Sequence, residues 1–149
     1  MEVFRIAREE YAESITASGK AARWNKDNQY VVYTAQVRSL STLELVVHKS
    51  FSGGLTYKVM VISVADEENL YKRLYLKDMP PGWRNTDAYP DLQDIGSEWY
   101  LKKQSLVLQV PSVIIPQEFN YIINLNHPDF STNVSLIGNE EFYLDGRLL

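Results

Sequence analysis

Arg23, Tyr33 and Glu44 fall on three successive elements of the chain, a polar loop, an apolar strand and a helix. A guanidinium offers a planar fork of donors to phosphate oxygens. A phenol offers a ring to stack on, and a carboxylate accepts from hydroxyls or faces a developing positive charge. Together they suit a phosphorylated, sugar-containing ligand. Each also has an ordinary structural role. Arg23 can pair on the surface with Glu13 or Asp27, Tyr33 can pack across a strand pair, and Glu44 can sit in a first helical turn, where the helix dipole favours an acid.

The elements that must position these groups are legible in outline. Val3–Ala7 alternates as a short strand with Arg5 facing opposite to Phe4 and Ile6, which makes Arg5 a candidate second phosphate contact. Tyr30–Ala35 is rich in β-branched and aromatic residues and reads as a strand. Residues 39–50 read as a helix capped by Ser39 or Ser41, with Leu40, Leu43, Val47 and Phe51 as its buried stripe and Glu44 in or near the first turn. His48 follows Glu44 by one turn, and His127 precedes a proline in a turn. Strands are expected over 57–64, 70–76, 106–110, 120–125, 134–137 and 141–144, and a helix from about Leu92 to Gln104 whose continuity Gly96 puts in question. Pro111 and Pro116 fence an apolar β segment that, lacking ladder donors at its ends, belongs at an edge or a change of sheet. Strands dominate the C-terminal half and helices are scattered, so the class is α+β.

Composition narrows the chemistry. At 149 residues, 45% hydrophobic and 23% charged, the chain predicts one compact globular domain over 1–149. It has no cysteine and two histidines, which removes thiolate chemistry and leaves no metal site to predict. A net charge of −4 argues against direct nucleic-acid binding. No apolar run is long enough for a membrane span and the N-terminus has no signal-like pattern, so a cytoplasmic protein is expected. Neither histidine stands in a recognisable nucleophile elbow, so a serine nucleophile has no support.

Phe4-Arg5-Ile6, Ala22-Arg23-Trp24-Asn25, Tyr30-Val31-Val32-Tyr33-Thr34, Leu43-Glu44, Val110-Pro111-Ser112-Val113-Ile114, Asn120-Tyr121-Ile122-Ile123-Asn124 with His127-Pro128, and Phe142-Tyr143-Leu144-Asp145-Gly146-Arg147-Leu148 occur in one order along nearly the whole chain. In this the sequence resembles the RES domain, the toxin half of a class of bacterial toxin–antitoxin pairs; it departs only at Gly146, where the family usually has proline. The resemblance implies an ADP-ribosyltransferase-like fold of twisted β-sheets with flanking helices. It implies NAD⁺ as substrate rather than cofactor, and cleavage of the nicotinamide–ribose bond as a glycohydrolase or phosphorylase. Protein ADP-ribosylation is the alternative, and a non-enzymatic nucleotide-binding or interaction module a further one. Carried over by position, Arg23, Tyr33, Glu44 and Ser112 are the implied catalytic residues. Arg23 would hold phosphate, Tyr33 stack on nicotinamide, Glu44 brace the ribose and its cation, and Ser112 position ribose or amide. Arg5, Trp24 and Asn25 join Arg23 and Tyr33 as candidate NAD⁺-binding residues, although Trp24 equally suits packing and Ser112 a turn. A helix-turn-helix antitoxin is the implied partner, with a toxin dimer possible inside the complex.

Overall fold

The computed structural model describes residues 1–48 and 51–149, so the last two residues of the expected 39–50 helix lie outside it. Seven strands form one mixed sheet: β1 (Glu2–Arg8), β2 (Val31–Ala35), β3 (Tyr57–Val64), β4 (Tyr71–Arg73), β5 (Val107–Pro111), β6 (Phe119–Asn124) and β7 (Val134–Glu141), in the order β4-β5-β6-β2-β1-β3-β7. Only β4 and β5 run parallel. Among the described residues three α-helices accompany it, α1 (Arg38–Val47), α2 (Tyr89–Lys102) and the single turn α3 (Phe130–Asn133). The expected α+β class is the one observed.

Strand alternation divides the core between the two sheet faces. On one face Val3, Ala7, Met60, Ile62, Val107 and Ile123 pack with Ala12, Leu70 and Val134. On the other, Val31, Leu108, Val110 and Ile122 pack under α2 through Leu92, Trp99 and Tyr100, whose spacing is that of one buried helical stripe. Phe4, Val59 and Val61 continue this second face toward α1.

Several expectations need correction. The helix begins at Arg38 with Val37 as its uncapped N-terminal residue, so neither Ser39 nor Ser41 caps it and Glu44 stands beyond the first turn. Its buried residues are Leu40, Ser41 and Leu45, while Val47 is 56% exposed, because this flank of α1 borders an open cleft instead of the core. Residues 113–115 form no strand: the Ser112 hydroxyl accepts from the backbone N–H groups of Ile114 (3.0 Å) and Ile115 (3.2 Å) and turns the chain. Pro111 is nevertheless accommodated in β5, an interior strand, since β4 pairs only with Val107–Gln109 and asks no donor of it. Finally, β4 is three residues long, and one β7 replaces the two expected C-terminal strands.

Gly96 does not interrupt α2. A Cβ there would lie 1.7 Å from the Trp24 carbonyl oxygen, so glycine is what lets the 22–25 loop rest directly on the helix. Gly96→Ala should therefore destabilise the protein by about 3 kcal/mol through overpacking. In thermal unfolding this is a drop of about 6–12 °C; an unchanged melting temperature would show that the loop does not sit there in solution.

Candidate active site

Both long helices pack on the same sheet face, and between them opens a cleft of about 560 Å³, within the range of small-molecule sites. Its floor is sheet: Phe4 of β1, Tyr33 to Ala35 of β2, Val110 and Pro111 of β5 and Asn120 of β6. Its walls are Ala21–Trp24, the α1 residues Ser41, Glu44, Val47 and His48, Tyr89 at the start of α2, and Val113 and Ile114.

Arg23 reaches the cleft from a loop held by an unusual number of buried polar contacts. The Asn25 side chain, 1% exposed, donates to the carbonyls of Lys20 (2.9 Å) and Lys26 (3.1 Å). Its Oδ1 accepts from the Tyr33 hydroxyl at 2.6 Å, and that hydroxyl in turn accepts from the Trp24 N–H at 3.0 Å. From α2, Gln93 donates to the Ala22 carbonyl (2.8 Å), and Ser97 accepts from Gln29 (2.7 Å). Burial pushes the Tyr33 phenol well above its ordinary range, so it stays a neutral donor. The Arg23 guanidinium lies 4.6 Å from the centroid of the Tyr89 ring and donates to the Trp83 carbonyl at 3.2 Å. Among the described residues it has no carboxylate partner, neither Glu13 nor Asp27. A cation fixed by a ring and a carbonyl keeps its charge available to an anion.

Across the cleft, Glu44 is contacted at both oxygens. Ser112 Oγ donates to Oε1 over a long 3.4 Å, and Nε2 of His48 is 3.2 Å from Oε2. The side chain is 26% exposed, which leaves it accessible from the cleft.

Tertiary structure thus brings together Arg23, Trp24, Tyr33 and Glu44 as cleft-lining residues. Ser112 is fully buried and does not line the cleft; it holds the 113–115 turn and touches Glu44, a positioning role in place of the expected contact with ribose or amide. Asn25 is likewise behind the wall, as the clamp on Tyr33. Arg5 is not at the site: Phe4 faces the cleft, so its neighbour points to the opposite sheet face and donates to the Thr16 carbonyl at 3.0 Å. Sequence reasoning missed Tyr89 and Ser41. Ser41, Glu44 and His48 form a polar stripe at helical spacing, a signal present in the sequence; Tyr89 has none, since its pairing with Arg23 is made only by the packing of α2.

The family model described as RES domain matches residues 2–145. The chain is 34% identical over 154 residues to a protein of Yersinia enterocolitica named Toxin Res, covering 99% of both chains. To the Toxin Res of Photorhabdus laumondii it is 31% identical over 153 residues, covering 100% of this chain and 97% of the other. A protein of Sphingobium sp. named Prs ADP-ribosylating toxin is 36% identical over 129 residues, covering 83% and 80%. In three dimensions the fold is similar to a chain of the M.tuberculosis MbcT-MbcA toxin-antitoxin complex, with a TM-score of 0.72 at 12% identity, over 95% of this chain and 83% of that one.

Proposed function

The chain belongs to the RES-domain family, and from that membership and its cleft we propose that it is the toxin of a bacterial toxin–antitoxin pair, cleaving the nicotinamide–ribose bond of NAD⁺ in the cytoplasm. The observation that carries this reading is the facing pair in one cleft: Arg23, without an acidic partner among the described residues, on one wall, and the Glu44 carboxylate, gripped from both sides, on the other.

The reaction asks for little covalent chemistry from the protein. The C1′–N bond breaks with its electron pair going to nicotinamide, which leaves as a neutral pyridine and needs no acid to protonate it. The ribose is left as an oxocarbenium-like cation, as in glycoside cleavage. Arg23 binds the pyrophosphate and fixes the substrate's position. Glu44 accepts from the ribose hydroxyls and opposes the positive charge at C1′. The ring of Tyr33 offers nicotinamide a stacking surface while its hydroxyl holds the Arg23 loop. Water then adds at C1′ and loses a proton, giving ADP-ribose, or phosphate adds to give its 1″-phosphate.

A second reading is favoured by the Sphingobium relative, whose name describes an ADP-ribosylating toxin: here a protein side chain is the acceptor. Incubating the purified protein with NAD⁺ labelled in its adenosine half, with and without phosphate and with and without a bacterial extract, separates these. Free nicotinamide with soluble labelled ADP-ribose or its phosphate is the expected result. Label in protein, dependent on the extract, selects the second reading, and intact NAD⁺ under every condition overturns both and leaves a binding module.

A chain that consumes NAD⁺ must be restrained in its own cell. The restraint proposed is an antitoxin with a helix-turn-helix domain and an acidic segment that enters the cleft against Arg23, where a carboxylate mimics the substrate's phosphate.

A further inference from the structure

His48 is the one imidazole at the cleft, and its place follows from the helix. It caps the C-terminus of α1, one turn after Glu44, with its side chain 59% exposed on the cleft rim. An ionised carboxylate can only accept, so the 3.2 Å contact requires the proton on Nε2. Glu44 therefore meets donors from two independent directions: Ser112, from the turn after β5, at Oε1, and His48, on its own helix, at Oε2.

Of these two donors only His48 titrates near neutrality. The groups facing it are Glu44 on α1, Arg23 from the opposite wall and, within the same cleft, the neutral phenol of Tyr33 and the ring of Tyr89. The hydrogen bond to Glu44 raises its pKa above the ordinary 6.5, against burial and the Arg23 charge, which lower it. Its two protonation states differ in consequence. The neutral ring donates to the carboxylate and leaves its negative charge whole, whereas the imidazolium forms an ion pair that cancels much of the charge Glu44 would direct at an oxocarbenium ion.

We propose that His48 is a positioning residue for NAD⁺ cleavage: as the neutral Nε2–H imidazole it fixes, together with Ser112, the carboxylate of Glu44 toward the cleft, and its protonation turns that carboxylate off. The inference rests on the functional reading above and adds to it a group that sets the acid side of the pH dependence.

Two measurements test it. The first is the pH profile of nicotinamide release by the wild-type protein and by His48→Gln, whose amide can donate to Glu44 but cannot titrate. The wild-type rate should fall toward about tenfold per pH unit below the His48 midpoint, and in His48→Gln this limb should disappear from the range near neutrality. The same limb in both proteins overturns the proposal. The second is an NMR titration, made simple because the chain holds two histidines. The other, His127, is buried and held at both ring nitrogens by Lys103 and the Asp129 N–H. The His48 midpoint should lie above 6.5 in the wild type and drop in Glu44→Gln; an unmoved midpoint shows that the contact is not made in solution and overturns the proposal without reference to turnover. Absence of nicotinamide release by the wild type at every pH overturns the functional reading and this proposal with it, a result distinct from an active enzyme whose limb His48→Gln leaves in place.

Discussion

Glu44→Gln should lower nicotinamide release from NAD⁺ by about 10²- to 10³-fold, while the protein should melt at the wild-type temperature. The substitution is isosteric. An amide oxygen can still accept from Ser112 Oγ where Oε1 now does, and the amide nitrogen can donate to His48 Nε2 once the neutral ring carries its proton on Nδ1, so the packing of α1 against β1 and β2 is undisturbed. What disappears is a full negative charge on a half-buried side chain, where a charge opposed to the C1′ cation acts more strongly than it would in bulk solvent. The loss should appear in kcat, because the charge on the ribose develops in the transition state and not in bound NAD⁺. A decrease of less than about threefold would show that the cation is stabilised by something other than Glu44.

Arg23→Ala should lower kcat/KM for NAD⁺ by about 10²-fold, with the main effect on KM. The guanidinium is held by the Tyr89 ring and the Trp83 carbonyl and answers to no carboxylate among the described residues, so its removal strands no buried acid. The structural cost is one cation–π contact of about 0.5–1 kcal/mol and one hydrogen bond to the Trp83 carbonyl of about 0.5–1.5 kcal/mol, together a drop of at most about 10 °C in melting temperature. Arg23→Lys should recover part of the affinity but not all, since an ammonium supplies the charge without the two-pronged geometry of the guanidinium. Turnover of NAD⁺ by Arg23→Ala at the wild-type KM would remove Arg23 from substrate binding and, with it, the facing pair on which the functional proposal stands.

The sequence carried more of the fold than of the site's inner workings. β2, β3 and β6 are runs of β-branched and aromatic residues, and such runs favour strands where no nearby group competes for their backbone donors. α1 was legible as a helix but not in its rotation. Its apolar residues are spread around too much of the cylinder for Leu40 and Leu45 to be chosen over Leu43 and Val47 without knowing that one flank faces a cleft. The turn at Ser112 was read as a strand because Val113, Ile114 and Ile115 have strong β propensity. A single buried hydroxyl accepting two backbone donors outweighs that preference.

By itself the sequence determined the α+β class and the strands of the sheet centre, and it singled out an arginine, a tyrosine and a glutamate that the fold brings to one cleft. Local preferences and short motifs are properties of neighbours in the chain, and these survive in any fold. Only the tertiary structure decided that Arg23 is stacked on Tyr89 and pairs with no acid among the described residues, that Asn25 and Ser112 lie behind the wall, that Arg5 turns away, and that His48 closes on Glu44. Each of those outcomes depends on which face of a strand or helix meets which distant segment. Gly96 shows why that could not be read in advance: a missing side chain on α2 sets the seat of the Trp24 carbonyl, and through it the reach of Arg23 into the cleft.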